Sequence, residues 1–275
     1  MYFVGGESLL NNAALDLIQY ASGLGCETVL TSNGYLINET MAKRIADSGL
    51  NDICLSLDSF KEESHDFLRG VKGSFQKVSS AIEYLNRYAK NTRIKINTVI
   101  MGMNLDEIVD LAKWVINDSR VVFVNFQAIT QPFYSRPDDK WYEKSEYGFL
   151  WPRDNNKVER IMDELIKLKQ ENMYKINNPV SQFKLYKRYF KYPQNYIKQT
   201  GCHIYKQVIN VSSTGQINIC HNMGPIGSIK QDGINIGELW YSSQAAAVKN
   251  NIKNCRKNCQ LLLNCYYDEQ ELYCK

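Results

Sequence analysis

Several things are missing from this 275-residue chain, and each absence narrows its class. No run of eighteen apolar residues occurs, so no segment is expected to span a membrane as a helix. The opening Met1-Tyr-Phe-Val-Gly-Gly-Glu7 has neither a basic region nor a long apolar core, so it does not read as a secretory signal. Side-chain motifs do not recur at a period of 20–50 residues, which argues against a solenoid. Charge of one sign is nearly absent as a surplus: 33 basic against 29 acidic residues, net +4, interspersed. That small surplus argues against nucleic-acid binding as the main function. Cysteine is scarce through the first 200 residues, with only Cys26 and Cys54, as in a protein of a reducing cytoplasm.

What is present starts with the other six of the eight cysteines. They crowd the last quarter as Cys202, then twelve residues and Gly215-Gln-Ile-Asn-Ile-Cys220, then Cys255-x3-Cys259-x5-Cys265 and Cys274. Soft thiolates at short spacing select zinc, copper(I) or an iron–sulfur cluster. Disulfides are the other use of crowded cysteines, but a chain this long builds a core without staples. A zinc ribbon shows two tight Cys-x2-Cys knuckles, whereas this loose and asymmetric spacing suits a cluster better. Zinc remains an alternative on spacing alone.

A hydrophobic content of 44% supports a real core. Short apolar runs alternate with amphipathic stretches. Strands are expected at Met1–Val4, Glu27–Thr31, Asp52–Asp58, Arg93–Met101 and Val121–Ile129. Helices are expected over Asn11–Ser22, Asn38–Asp47, Phe75–Lys90 and Leu105–Asn117, with Asn38 as an N-cap and Gly49 closing its helix. The segment with His65, Arg69, Gly70 and Gly73 reads as a loop. Five βα alternations predict an α/β fold with a parallel sheet and right-handed crossovers.

Ligands of such sheets sit at the C-terminal strand ends. Gly5-Gly6-Glu7, Asn33-Gly34, Ser56 with Asp58, and Gln127 all fall there. Taken singly, the glycine and asparagine pairs are ordinary turn chemistry. Glu7 differs, because two glycines before it admit close backbone approach and its carboxylate suits an ammonium. Asp58 equally reads as a helix cap. Beyond the sheet, Thr130–Thr200 contains a loop at Pro132–Asp139, a break at Trp151-Pro152 and an amphipathic helix over Lys157–Gln170. An aromatic and basic stretch, Phe183–Tyr196, then packs the segment against the sheet or lines a substrate channel. Stacking of nucleic acid is the lesser reading.

These motifs resemble those of the radical S-adenosylmethionine (SAM) enzymes. Phe3-Val-Gly-Gly-Glu7-Ser-Leu-Leu10 is similar to their Gly-Gly-Glu-Pro-Leu-Leu motif, with Ser8 for the proline. Thr31-Ser-Asn-Gly34 resembles their Thr-Asn-Gly strand end. Ser56-Leu-Asp-Ser59, His65, Phe67-Leu-Arg-Gly70 and Gly73-Ser-Phe75 resemble the segment after the fourth barrel strand, and Asn97-Thr-Val-Ile100 with Asn104-Leu-Asp-Glu107 the fifth. Cys202-x12-Gly215-x4-Cys220 with Ile236-Gly-Glu-Leu-Trp240 resembles a SPASM or twitch domain, which holds auxiliary [4Fe–4S] clusters.

The resemblance implies a partial (β/α)6 TIM-like barrel over 1–130, a helical bridge over 131–200 and a small Cys-rich α+β domain over 201–275. It implies SAM bound by the backbone of Gly5 and Gly6 and by Glu7, with Asn33 at the adjacent strand end. Ser56, Asp58 and Asn97 would lie near the ribose or carboxylate, and Gln127 along the adenine. Cys202, Cys220, Cys255, Cys259, Cys265 and Cys274 would ligate one or two clusters. The implied reaction is hydrogen abstraction by a 5′-deoxyadenosyl radical from a peptide substrate, with a flavodoxin or ferredoxin as electron donor.

Two departures matter. The family's first strand ends in Cys-x3-Cys-x2-Cys, which ligates the cluster that reduces SAM, and this sequence has no such triad. The chain is therefore expected to be inactive as written, a fragment that starts at the second barrel strand, with an open sheet edge and an exposed apolar face. A non-catalytic, metal-stapled scaffold is the alternative. The family's full auxiliary pattern also has seven cysteines where this chain has six. Two complete clusters take eight thiolates, so His203 and His221 become candidate substitutes.

Overall fold

The computed structural model describes residues 1–131, 138, 140–143, 145–194, 202–231, 233–255, 259 and 261–264. They fall into two compact units, Met1–Pro193 and Gln194–Lys275. The expected loop at Pro132–Asp139 lies outside the described residues apart from Asp138, as do Cys265 and Cys274.

The first unit is α/β. Its elements are β1 (Tyr2–Phe3), α1 (Ala14–Gly23), β2 (Val29–Ser32), α2 (Glu39–Asp47), β3 (Asp52–Ser56), α3 (Glu62–Arg69), α4 (Ser74–Tyr88), β4 (Arg93–Ile100), α5 (Ile108–Asn117), β5 (Val121–Ala128), α6 (Ser145–Gly148), α7 (Asn155–Glu171) and α8 (Val180–Lys191). The five strands pair in chain order, all parallel. Caps explain the helix boundaries. Asn38 accepts the Met41 N–H at 2.9 Å, Asp154 accepts that of Lys157 at 3.0 Å, and Gly49 ends α2 at φ +69°.

The loop expected around His65 is instead α3. Glu62 and Glu63 in its first turn and left-handed Gly70 at its end are helix signals that the sequence reading passed over. Asp66 then reaches forward and accepts from Phe75 N (2.8 Å), Ser74 Oγ (2.9 Å) and Gly73 N, which caps α4. These bonds hold the Asp66 carboxyl below the ordinary range.

The outer face of the sheet is apolar. Leu30, Ile53, Leu55, Ile96, Ile100, Val124 and Phe126 are buried beneath helices whose inward residues include Ile18, Ile45, Val78, Leu85 and Leu111. Each such side chain contributes about 1.5–3 kcal/mol by leaving water. At the β1 side, Met1, Tyr2, Val4, Leu10, Leu17, Tyr20 and Leu24 are exposed.

Within the expected helical bridge over 131–200, α7 and α8 fall in the first unit, where they seal the β5 edge. Val124 N–H donates to Lys175 C=O (2.9 Å), and Asn177 N–H donates to Val124 C=O (2.8 Å). One residue on, the side chain of Asn178 replaces a strand. Its Oδ1 accepts the Phe126 N–H and its Nδ2 donates to the Phe126 C=O, both at 2.7 Å. The aromatic stretch of α8 is core. Phe183, Tyr186, Tyr189 and Phe190 are buried, while Lys187 and Lys191 pair with Asp163 and Glu159 on α7. Trp151 meets Tyr189 and Phe190 edge-on, at 5.2 and 5.3 Å between ring centroids.

The second unit carries β6 (Asn210–Val211), β7 (Gln216–Asn218) and β8 (Gly227–Ser228), an antiparallel sheet, with α9 (Ile236–Trp240), α10 (Ser243–Lys253) and α11 (Leu261–Asn264). Ile204, Ile217, Ile219, Cys220, Ile226, Ala245 and Ile252 form its core. Among the described residues no helix is long and apolar enough to cross a membrane.

Asn178→Ala removes both bonds to Phe126 and leaves a buried N–H without a partner. The loss of stability is expected to be about 2–3 kcal/mol, read as a lower urea midpoint for the first unit. An unchanged midpoint would show that the edge is closed by packing alone.

Candidate functional site at the strand ends

Parallel register places one side chain of each strand in a common row. Ser56 of β3 pairs with Asn97 of β4, which pairs with Asn125 of β5, and two residues on Val99 pairs with Gln127. All five are half-buried, and they alternate with the buried Leu55, Ile96, Thr98, Val124 and Phe126 of the opposite face. Asn125 Oδ1 accepts from Asn177 Nδ2 at 3.2 Å. The side chains of Ser56, Asn97 and Gln127 make no hydrogen bond among the described residues. Half-buried polar groups with unfilled capacity suit a polar ligand.

The same face is closed at its N-terminal end. Asp52, buried, accepts from Arg93 Nε (2.6 Å) and Lys95 Nζ (2.7 Å), and Lys95 lies 5.0 Å over the Phe123 ring. Burial would push the Asp52 carboxyl up, but these two cations outweigh it and hold it low. Cys54 stands above this floor, and burial pushes its thiol up to about 11 against the pull of Lys95. These ion pairs occupy the N-terminal part of the face, and Ser56, Asn97 and Gln127 lie farther along the strands, toward their C-terminal ends.

There, Glu7 is already engaged. Its carboxylate accepts from Ser32 Oγ (2.9 Å), Asn33 N (2.8 Å) and Leu9 N (3.3 Å), tying the β1 end to the β2 end. The Asn33 side chain accepts the Tyr35 N–H at 2.9 Å and serves the turn. Gly34, at φ +78°, brings its backbone so close to α4 that a Cβ would lie 3.1 Å from Val78 Cα. Gly5 and Gly6 differ: a Cβ on either would meet nothing within 4 Å. Protein packing does not demand glycine there, and their backbone stands open to a ligand.

Asp58 is 3% exposed and central to a knot. It pairs with Arg69 at 2.8 Å, accepts the Val99 N–H at 2.9 Å, and its C=O accepts from Asn104 Nδ2 at 2.7 Å. Burial pushes its carboxyl above the ordinary value, with Arg69 and Val99 opposing. The Asp58 N–H donates to His65 Nδ1 at 3.2 Å, so the proton of the neutral ring sits on Nε2. Burial, aided by Arg69, pushes His65 down to about 4. Arg69 Nε is buried and has no hydrogen-bond partner among the described residues. Arg69, His65, Asn104, Asn125 and Asn177 were not among the expected site residues. Arg69 and His65 stood inside a quoted motif, but only the folding of α3 turns them toward Asp58.

In the second unit Cys202 and Cys220 pack at one core. Asn222 donates to both Cys220 Sγ (3.4 Å) and Cys259 Sγ (3.7 Å). Cys255 follows α10, its N–H bonded to the Ile252 C=O at 3.1 Å. Among the described residues no three His, Cys, Asp or Glu side chains gather closely enough to hold a metal ion. Of the two candidate substitutes, His221 is exposed, and His203 has a buried Nδ1 without a hydrogen-bond partner among the described residues. In kind, this soft donor set suits an iron–sulfur cluster or zinc.

Comparison with known proteins bears on the family and the fold. Residues 1–115 match the family model of the Radical SAM superfamily. The chain is 35% identical over 111 residues to an AdoMet-dependent heme synthase of Oleidesulfovibrio alaskensis, covering 40% of this chain and 28% of that protein. It is 23% identical over 248 residues to a PqqA peptide cyclase of Rhizobium meliloti, covering 89% of this chain and 61% of that protein. Among solved structures it resembles Streptococcus suis SuiB bound to S-adenosylmethionine, at TM-score 0.63 and 17% identity, covering 96% of this chain and 60% of the other. That likeness is one of fold. The chain spans less than a third of the heme synthase and about three fifths of the other two.

The His65 ring carries a pH signature. Its pKa is lower folded than unfolded, so the stability it lends is present above about 6.5 and is lost as pH falls through about 4. His65→Gln keeps an acceptor for the Asp58 N–H but does not titrate. The decline of unfolding free energy between those pH values is expected to flatten in this variant. An identical decline would place its source elsewhere.

Proposed function

We propose that the first unit binds SAM across the C-terminal strand ends and belongs to a radical SAM enzyme that modifies a peptide. The observation that carries this reading is the row Ser56, Asn97 and Gln127, half-buried and, among the described residues, without side-chain hydrogen bonds. The open backbone of Gly5 and Gly6 supports it. So does the match of residues 1–115 to the superfamily.

The roles follow from what each group has left to offer. The backbone of Gly5 and Gly6 takes the ligand ammonium, while Glu7, engaged with Ser32 and Asn33, fixes that arm and adds negative charge beside it. Ser56 and Asn97 hydrogen-bond the ribose or carboxylate. Asp58 acts through Arg69, whose unpartnered Nε suits a ligand carboxylate. Gln127 lies along the adenine, and Asn33 holds the turn. When cleaved reductively, SAM supplies a 5′-deoxyadenosyl radical that takes hydrogen from the substrate.

The sheet is read as part of a (β/α)6 barrel. Its cysteines do not fit the cluster that reduces SAM. Cys26 and Cys54 are far apart in the chain, and the Cys54 thiol is pushed up to about 11. Radical chemistry in this protein therefore depends on a close cysteine triad that residues 1–275 do not contain. In the second unit Cys202, Cys220, Cys255, Cys259, Cys265 and Cys274 would hold one or two auxiliary [4Fe–4S] clusters, which anchor substrate or accept an electron. A peptide substrate is supported by the long match to a peptide cyclase. It is also supported by the likeness to SuiB, solved bound to its precursor peptide. A flavodoxin or ferredoxin would supply electrons. The missing triad equally favours a second reading, in which the chain binds SAM or a peptide without turnover.

Equilibrium dialysis of the 275-residue chain with SAM tests the site. Ser56→Ala and Asn97→Ala are each expected to weaken binding about tenfold, the worth of roughly one hydrogen bond. No binding by the parent chain, or equal binding by all three, overturns the assignment. Release of 5′-deoxyadenosine under reducing conditions separates the enzyme from the scaffold.

A further inference from the structure

The turn after β7 is built around a sulfur. The Met223 N–H donates to the Cys220 C=O at 3.1 Å, and inside that turn the Asn222 N–H donates to Cys220 Sγ at 3.4 Å. The carboxamide of the same residue crosses 37 positions of sequence to donate to Cys259 Sγ at 3.7 Å. One residue thus presents an N–H to a sulfur of each cysteine group. A neutral thiol buried at 9% exposure beside Ile217, Ile219 and Ile226 is content without a donor. A thiolate is not: the negative charge of a metal-bound sulfur needs N–H dipoles in a low-dielectric core. Such bonds are one of the protein's levers on the reduction potential of a cluster.

We propose that Asn222 is the positioning residue of the metal centre in the second unit. It donates to Cys220 through its backbone and to Cys259 through its side chain, aligns the two thiolates, and raises the reduction potential of the cluster they serve. The proposal rests on the reading that this unit carries an iron–sulfur cluster. Its physical content is a sign. Reduction adds negative charge that is shared with the sulfurs, and an N–H donor favours the more negative state. Removing the side-chain donor therefore makes the centre harder to reduce.

The test uses the full chain, reconstituted anaerobically with ferrous iron and sulfide. Iron and sulfide per chain are measured, then the midpoint potential by a titration followed in optical and electron paramagnetic resonance spectra. Asn222→Leu keeps the side chain's size and loses the donor, and Asn222→Gln keeps a carboxamide. The expected result is iron and sulfide within twofold of the parent in both variants. The midpoint of Asn222→Leu moves to more negative potential, and that of Asn222→Gln lies between it and the parent. Equal midpoints in fully loaded proteins overturn the role of Asn222 and leave the cluster reading standing. A parent chain that takes up no iron and sulfide, or takes up zinc instead, overturns the cluster reading and this proposal with it. If Asn222→Leu folds but stays empty, loading of Asn222→Gln supports donor positioning. Failure of both assigns Asn222 to the turn alone and ends the proposal.

Discussion

Strand register is the constraint on which the rest of the first unit depends. Parallel ladder bonds fix which residue of β3 faces which residue of β4 and β5, and the pleat then sends alternate side chains to opposite faces. Ile96 and Phe126 must meet the helices, so Asn97, Asn125 and Gln127 must meet the other side. A shift of one residue would bury three amides and expose the core. The hydrophobic requirement of one face is thus what holds the polar row of the other in place. Among the described residues Asn125 bonds to Asn177, while the side chains of Asn97 and Gln127 keep unfilled hydrogen bonds that suit a ligand.

The strand ends obey a second rule, that buried polar groups find partners. Glu7 and Asp58 looked alike as carboxylates near a ligand, but each is bonded to protein on both oxygens. Their work is to tie adjacent loops, which leaves the backbone of Gly5 and Gly6 as the exposed part of the β1 end. Asp58, His65, Arg69 and Asn104 form one network, so a change in any of them is felt through the others. Its interior suits neutral imidazole and disfavours charge, and His65 is accordingly pushed to about 4.

In the second unit the order is reversed, and a small core serves the sulfurs. Ile217, Ile219 and Ile226 give the three-stranded sheet enough apolar surface to hold Cys220 in a turn. Asn222 carries that order to Cys259. Thiolates at a metal repel one another, and their separation must be set by groups that are not ligands.

The amino-acid sequence by itself determined the alternation of elements, the parallel sheet, the cap at Asn38 and the crowding of cysteines, because periodicity and short-range spacing are local properties. It also placed Ser56 and Gln127 at strand ends, since position along a strand is local too, whereas Asn97 was named only through the family resemblance. It could not separate Ser56, Asn97 and Gln127 from Glu7 and Asp58, because the hydrogen-bonding capacity of those two carboxylates is consumed by residues distant in sequence, 25 positions away for Ser32 on Glu7 and 41 for Val99 on Asp58. Nor could it foresee that Asn178 would stand in for a strand, or that Lys175 and Asn177 would bond to Val124. Those outcomes depend on which edge of the sheet is left unpaired once β1 to β5 have associated, and only the tertiary structure decides that.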